Sequence, residues 1–154
     1  MTIISVDRLS SPSKDNDLRT AEVNFDGRQI GTISGDVTGI LSGESPAKLE
    51  ILESANPEDV RSAGVAAMGH PNTASLYAHV EQLFHQELLR DRSLRRMRSK
   101  LKKNTLYSTG EKLQAIARPY CESIRSHIKQ QHPEAVILNT LSEEEAFRHF
   151  VAPR

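Results

Sequence analysis

The stretch Thr20–Ser34, TAEVNFDGRQIGTIS, decides the fold class. Ala21, Val23 and Phe25 alternate with Glu22 and Asn24, which is the two-residue period of a strand with one buried face. Asp26-Gly27 interrupts. In the second strand-like run, Ile30, Thr32 and Ser34 share one face and Gly31 and Ile33 the other. A tight hairpin turn needs positive φ, which Gly supplies without steric cost, so Asp-Gly between two such runs is the strongest short hairpin signal. Strands are predicted over 20–25 and 28–34.

Outward from the hairpin, Gly35 to Pro46 is rich in Gly, Ser and Pro and reads as a loop. Ala47 to Glu53, AKLEILE, reads as a third strand with Leu49 and Ile51 on one face, and Thr2 to Val6 is a candidate fourth. After Pro57 the period becomes helical. Asn56 or Ser54 can cap, Pro57 suits the first helical position, and Glu58 and Asp59 favour the positive end of the helix dipole. His70-Pro71 ends that helix near Gly69. Leu76, Val80, Leu83, Phe84 and Leu88 then form one apolar stripe that Leu94, Met97 and Leu101 continue more thinly, predicting a helix over 73–103. Leu113, Ile116, Ala117, Tyr120, Ile124 and Ile128 predict a helix over 110–131, kinked at Pro119. Ala135 to Leu141 reads as a buried strand, and Ser142 with Glu145 makes a capping box for a last helix over 142–150.

The layout is α+β: a small, mostly antiparallel sheet packed by several helices, with the late strand returning to it. Residues 1–19, polar and Ser-rich in Ser10–Asp17, read as a mobile N-terminal segment, and 20–154 as a single α+β domain. A chain of 154 residues buries about two-thirds of its unfolded surface in one core. Mean hydropathy is −0.49 and no apolar run approaches ~18 residues, so no transmembrane segment is expected. The N-terminus has no basic start followed by a long apolar stretch, and Cys121 has no partner cysteine; both fit a reducing, cytoplasmic setting. A polar, Ser-rich beginning also fits a bacterial effector exported by a type III system.

Net charge is zero, yet residues 1–60 carry eleven acids and five bases while 90–103 carry eight bases and one acid. That basic block, RDRSLRRMRSKLKK, makes Arg90, Arg92, Arg95, Arg96, Arg98, Lys100, Lys102 and Lys103 candidate partner-binding residues for an acidic protein, a polyanion or an anionic membrane surface. It holds no aromatic residue on which bases could stack, so sequence-specific reading of nucleic acid is not expected. The competing reading is a solvated helix whose bases pair with the acidic N-terminal half. Oligomeric state is not legible.

The stretch Pro57–Ala66, PEDVRSAGVA, raises the second candidate, since a strand, a turn and a helix start can present backbone N–H groups to a phosphate. Its Arg-x-x-Gly-x-Ala spacing resembles the acyl-CoA pyrophosphate loop of the GNAT superfamily of N-acetyltransferases. FDGRQIGTI resembles that family's central hairpin, KLEILESANPEDVRSAGVA its following strand and loop, and AVILNTLSEEEAFRHF its later strand and helix. The resemblance implies a degenerate acyltransferase-like fold, or a non-catalytic relative of it, with acetyl-CoA as cofactor. It also implies pyrophosphate contacts from Arg61, Gly64 and Ala66, and a general base at Glu50 or Glu53 acting directly or through water. The family's Tyr general acid has Phe150 in its place, and YSTGEKL at 107–113 competes for the loop's role. An ordinary helix start, with Gly64 and Ala66 chosen for packing, accounts for the same residues.

No metal site is expected, because His79 and His85 stand six residues apart and do not share a helix face as an i, i+4 pair would. Cys121 falls near the apolar stripe of its expected helix and reads as a buried structural thiol. The two functional readings are thus an acyl-CoA-dependent enzyme or its inactive relative, and a non-enzymatic interaction module.

Overall fold

The computed structural model describes residues 4–11, 17–68 and 73–152. The fold is mixed α+β with antiparallel strand pairing throughout. Compactness divides the chain into two units, Met1–Arg90 and Asp91–Arg154, where the sequence predicts one domain from residue 20 onward.

The first unit is built on strands β1 (Ile4–Asp7), β2 (Leu18–Phe25), β3 (Arg28–Asp36) and β4 (Lys48–Ile51), paired in that order. The expected hairpin is present, and its turn residues Asp26 and Gly27 carry φ of 49° and 82°, the paired positive angles of a turn that matches strand twist. Ala21, Val23 and Phe25 are buried as predicted. The second run departs from simple alternation because a bulge at Val23/Asn24 sets Val23 against Gly31 and Asn24 against Gln29. Ile30 is the extra residue, so Ile30 and Ile33, three apart, are both buried. Gly31 is required where it stands, since a Cβ there would lie 2.5 Å from the Glu50 carbonyl oxygen of β4.

Part of the stretch expected to be mobile is tied to this sheet. β1 pairs with β2, and Ser10 accepts from the Thr20 N–H on its hydroxyl at 2.9 Å and from Arg19 Nε on its carbonyl at 2.6 Å. The loop expected over 35–46 contains a short helix, α1 (Val37–Ser42), ended by Gly43 at φ 78° with its N–H on the Ile40 carbonyl. Helix α2 (Pro57–Met68) begins as predicted, with the Asn56 side chain accepting from the Glu58 N–H at 2.9 Å. The end predicted at Gly69 lies outside the described residues.

Helix α3 (Thr73–Lys103) runs unbroken over the predicted range. Its Leu76, Val80, Phe84 and Leu88 join Ala21, Val23, Phe25, Ile33, Ile40 and Ala63 in the single core of the first unit.

The last part of α3 belongs to the second unit, with β5 (Thr105–Ser108), β6 (Leu113–Ile116), α4 (Glu122–Gln131), β7 (Val136–Ile137), a 3-10 turn (Leu138–Thr140) and α5 (Glu143–Val151). The helix expected over 110–131 is instead a hairpin arm followed by a shorter helix. Gly110 adopts φ 92° and the Thr109 N–H meets the Lys112 carbonyl at 3.1 Å, closing the β5–β6 turn. Leu113 and Ile116 stand three apart, which imitates a helical period, but they lie in a partly buried edge strand. The late strand does not return to the first sheet: β7 pairs with β5 in a second sheet ordered β6-β5-β7. All four residues of β5 are buried, Leu106 among Met97, Leu138 and Ala146, and Tyr107 among Ile128, Ala135 and Ile137. Asn139 ties this centre together: its Oδ1 accepts from the Leu106 N–H at 2.9 Å and its Nδ2 donates to the carbonyls of Leu101 and Asn104. Half of the expected capping box of α5 is present, with the Ser142 hydroxyl accepting from the Glu145 N–H.

Candidate functional site

The start of α2 is the first place to weigh. Because Asn56 caps and Pro57 opens the helix, Arg61 falls in its second turn and Gly64 and Ala66 in its third. Their N–H groups are inside the helical ladder, whereas only the first turn of a helix leaves donors unpaired. These three residues are therefore helical, as the period after Pro57 predicts, and do not form the open loop that the resemblance implies. The leading donors are also engaged, with the N–H groups of Asp59 and Val60 on the Asn56 carbonyl. Two acids stand in the first turn. Arg28 grips Asp59 through two bonds at 2.8 and 3.0 Å and holds its carboxyl below the usual range. Arg61 is exposed and lies 3.8 Å from Glu58, Gly64 is buried in the helix, and Ala66 is exposed.

Glu50, on β4 opposite Thr32, is exposed and ion-paired with Lys48 at 2.9 Å. Glu53 follows in an exposed turn. The competing stretch 107–113 spans the end of β5, the Gly110 turn and the first residue of β6. Phe150 packs in the Met97 cluster beneath Lys100, whose Nζ lies 5.8 Å from the ring centre.

Cys121 is exposed, in contrast to the buried thiol expected. It stands at the N-cap of α4 with extended backbone angles of its own, and the Ser123 hydroxyl 3.2 Å away is the main cause that lowers its pKa. Among the described residues no group of three His, Cys, Asp or Glu is arranged to hold a metal ion. No helix among them is long and apolar enough to cross a membrane.

The basic end of α3 is the most distinctive surface. Met97 is fully buried, with Leu94 and Leu101 beside it, and the eight cations are all exposed. Arg95 pairs with Asp91 at 2.8 Å, and Arg98 makes a two-bond fork to Glu143 at 2.6 and 2.8 Å. Arg90 is also engaged. Arg92, Arg96, Lys102 and Lys103 have no partner among the described residues. Arg92, Arg96, Ser99 and Lys103 recur at i, i+4, i+7 and i+11, a single stripe of one helix face. Sequence reading found the block but not which cations are taken, because Glu143 lies 45 residues away in the chain.

Comparison with protein-family models, curated proteins and solved structures finds no match for this chain. The acyltransferase resemblance rests on its short motifs alone.

Proposed function

We propose that this chain is a non-enzymatic interaction module whose second unit meets an acidic protein or polyanionic surface through the outer stripe of α3. The observation that carries the reading is the division of the basic block. Half of its charges are engaged nearby, while Arg92, Arg96, Lys102 and Lys103 have no partner among the described residues and Arg92 to Lys103 extend over about 16 Å of helix. Exposed cations on one helix attract an opposite surface over roughly 10 Å at 0.1 M salt and 3 Å at 1 M. Heparin titration tests it. The wild type binds at low salt and releases as salt rises, and Arg92→Glu/Arg96→Glu/Lys103→Glu lowers affinity at least tenfold with an unchanged unfolding midpoint. Equal heparin affinity in the variant removes the proposal.

The acyl-CoA reading has one support, the antiparallel run β2-β3-β4 leading directly into α2, the order the resemblance implies. A thermal-shift titration with acetyl-CoA decides it. A bound ligand at 100 times its Kd stabilises by about 2.7 kcal/mol, a shift that Arg61→Glu then abolishes; no shift in the wild type eliminates the reading.

A further inference from the structure

A cleft of about 610 Å³ lies within the first unit, between the loop that joins α1 to β4 and the outward face of the early turns of α3. Its lining combines two kinds of surface. Ile40, Pro46 and Ala78 give it apolar walls, while Glu44, Glu81 and Gln82 are among its polar lining residues. Neither the Glu44 nor the Gln82 side chain has a partner among the described residues.

Both carboxylates are carried by ordered backbone. Glu44 follows Gly43, whose left-handed conformation closes α1, and the N–H groups of Glu44 and Ser45 both donate to the Gly39 carbonyl, at 2.9 and 3.0 Å. Glu81 sits on α3 one turn after Tyr77, whose hydroxyl is within hydrogen-bond reach of the Glu81 carboxylate and of the Ala47 carbonyl at 2.7 Å. With one proton the hydroxyl serves one acceptor at a time, so the carboxylate retains acceptor capacity for a further donor. Burial, followed by the Glu81 contact, pushes the Tyr77 hydroxyl up to about 12, which keeps it neutral through the physiological range.

The charge of the surroundings has the same sign. Residues 1–90 carry thirteen acids and seven bases, so the unit that holds the cleft is negative by six. His85 and Gln86 complete the helix side of the opening.

We infer that this cleft binds a cationic head on a short aliphatic stem, the chemistry of an arginine or lysine side chain. The carboxylates of Glu44 and Glu81 receive the guanidinium or ammonium N–H groups, and Ile40, Pro46 and Ala78 cover the methylenes. This inference is independent of the basic stripe, which lies on the other unit and has the opposite sign.

The test uses the full chain and three fluorescent probes at pH 7.5 and low salt: a short neutral-flanked peptide with one central arginine, the same peptide with citrulline in its place, and labelled agmatine. Citrulline keeps the shape and loses the charge. The arginine peptide is expected to bind at least tenfold more tightly than the citrulline peptide. Glu44→Gln/Glu81→Gln is expected to remove that preference, and Arg92→Glu/Arg96→Glu/Lys103→Glu to leave it intact. Because Glu81→Gln touches the Tyr77 contact, Glu44→Gln alone is measured as well, with an expected loss of at least threefold. Agmatine binding as tightly as the peptide assigns the cleft to free small cations, and peptide-only binding assigns it to a protein partner; both support the cationic head. Equal binding of arginine and citrulline peptides, or full binding by the double variant, overturns the inference.

Discussion

The two units solve the burial of a small antiparallel sheet in different ways. In the first, β2 keeps Ala21, Val23 and Phe25 inside while Glu22 and Asn24 face the other way, where Asn24 donates to Asp7 at 2.8 Å; one face is core and the other polar. In the second, the central strand β5 is buried along its whole length, and its neighbouring residues Leu106 and Tyr107 enter two separate apolar clusters. Alternate strand residues point to opposite faces, so β5 is covered on both. The charges differ as well: six net negative charges over 1–90 and six net positive over 91–154, the latter from thirteen bases and seven acids. The neutral chain is thus a sum of two charged bodies, and its binding behaviour belongs to each of them separately.

If the first unit depends on one continuous core, removing its largest fully buried side chain has the largest effect. Phe84→Ala is expected to lower unfolding free energy by about 3–5 kcal/mol, through lost transfer energy and the remaining cavity. Urea denaturation measures this, and a loss under about 1 kcal/mol would show that the sheet face is closed without α3. The second unit, with two smaller clusters, depends more on a polar tie. Asn139→Ala leaves the Leu106 N–H without its acceptor inside a buried strand and two carbonyls without a donor, for an expected loss of about 1–3 kcal/mol. Asn139→Asp keeps the acceptor and removes both donors, so a smaller loss in Asp than in Ala isolates the bond to β5.

The same contrast explains which parts of the fold were legible. A half-solvated sheet writes its alternation into the sequence, and the Asp26-Gly27 turn and the Ala21-Val23-Phe25 face could be read from it. The Val23/Asn24 bulge could not, because Ile30 gives no local sign of being the unpaired residue. A strand covered on both faces shows no alternation. Thr105 and Ser108 are polar by type, yet buried, with the Thr105 hydroxyl satisfied by the Arg118 carbonyl thirteen residues on. Next to it, Leu113, Ile116, Tyr120, Ile124 and Ile128 mimic a helical stripe across what are two separate elements. At the candidate sites, the basic block was visible as composition. The α1–β4 cleft was not, because Glu44 and Glu81 come together only through the packing of a loop on a helix 37 positions later.

The hairpin turn offers the next smaller effect, and it tests whether the first unit's register depends on its turn. Gly27→Val is expected to cost about 1 kcal/mol or more, because a β-branched residue at positive φ is strained. No heavy atom lies within 4 Å of the position a Cβ would take, so crowding cannot be the cause. Gly27→Asn, which tolerates the left-handed region better, should recover most of the loss in the same denaturation experiment. Equal losses for Val and Asn would place the cost elsewhere in the hairpin.

The smallest effects come from a forked ion pair in each unit, Arg28–Asp59 and Arg98–Glu143, and they let the two bodies be compared on the same chemistry. In both, the arginine bonds hold the carboxyl below its usual value. A carboxyl whose folded-state pKa is depressed binds fewer protons folded than unfolded, so its stabilisation is present above the unfolded pKa. That stabilisation fades as pH falls through the unfolded value and toward the folded one. The acid side of a plot of unfolding midpoint against pH should therefore flatten in Asp59→Asn and in Glu143→Gln, with little change from pH 6 to 8 in its slope. Asp59 is the more enclosed partner, at 18% side-chain exposure against 52% for Glu143, so the flattening should be greater for Asp59→Asn and should survive added salt better. The reverse order would mean that the pair in the basic unit is supported by the surrounding field of like charges on α3, and that the contrast between the units is electrostatic before it is one of packing.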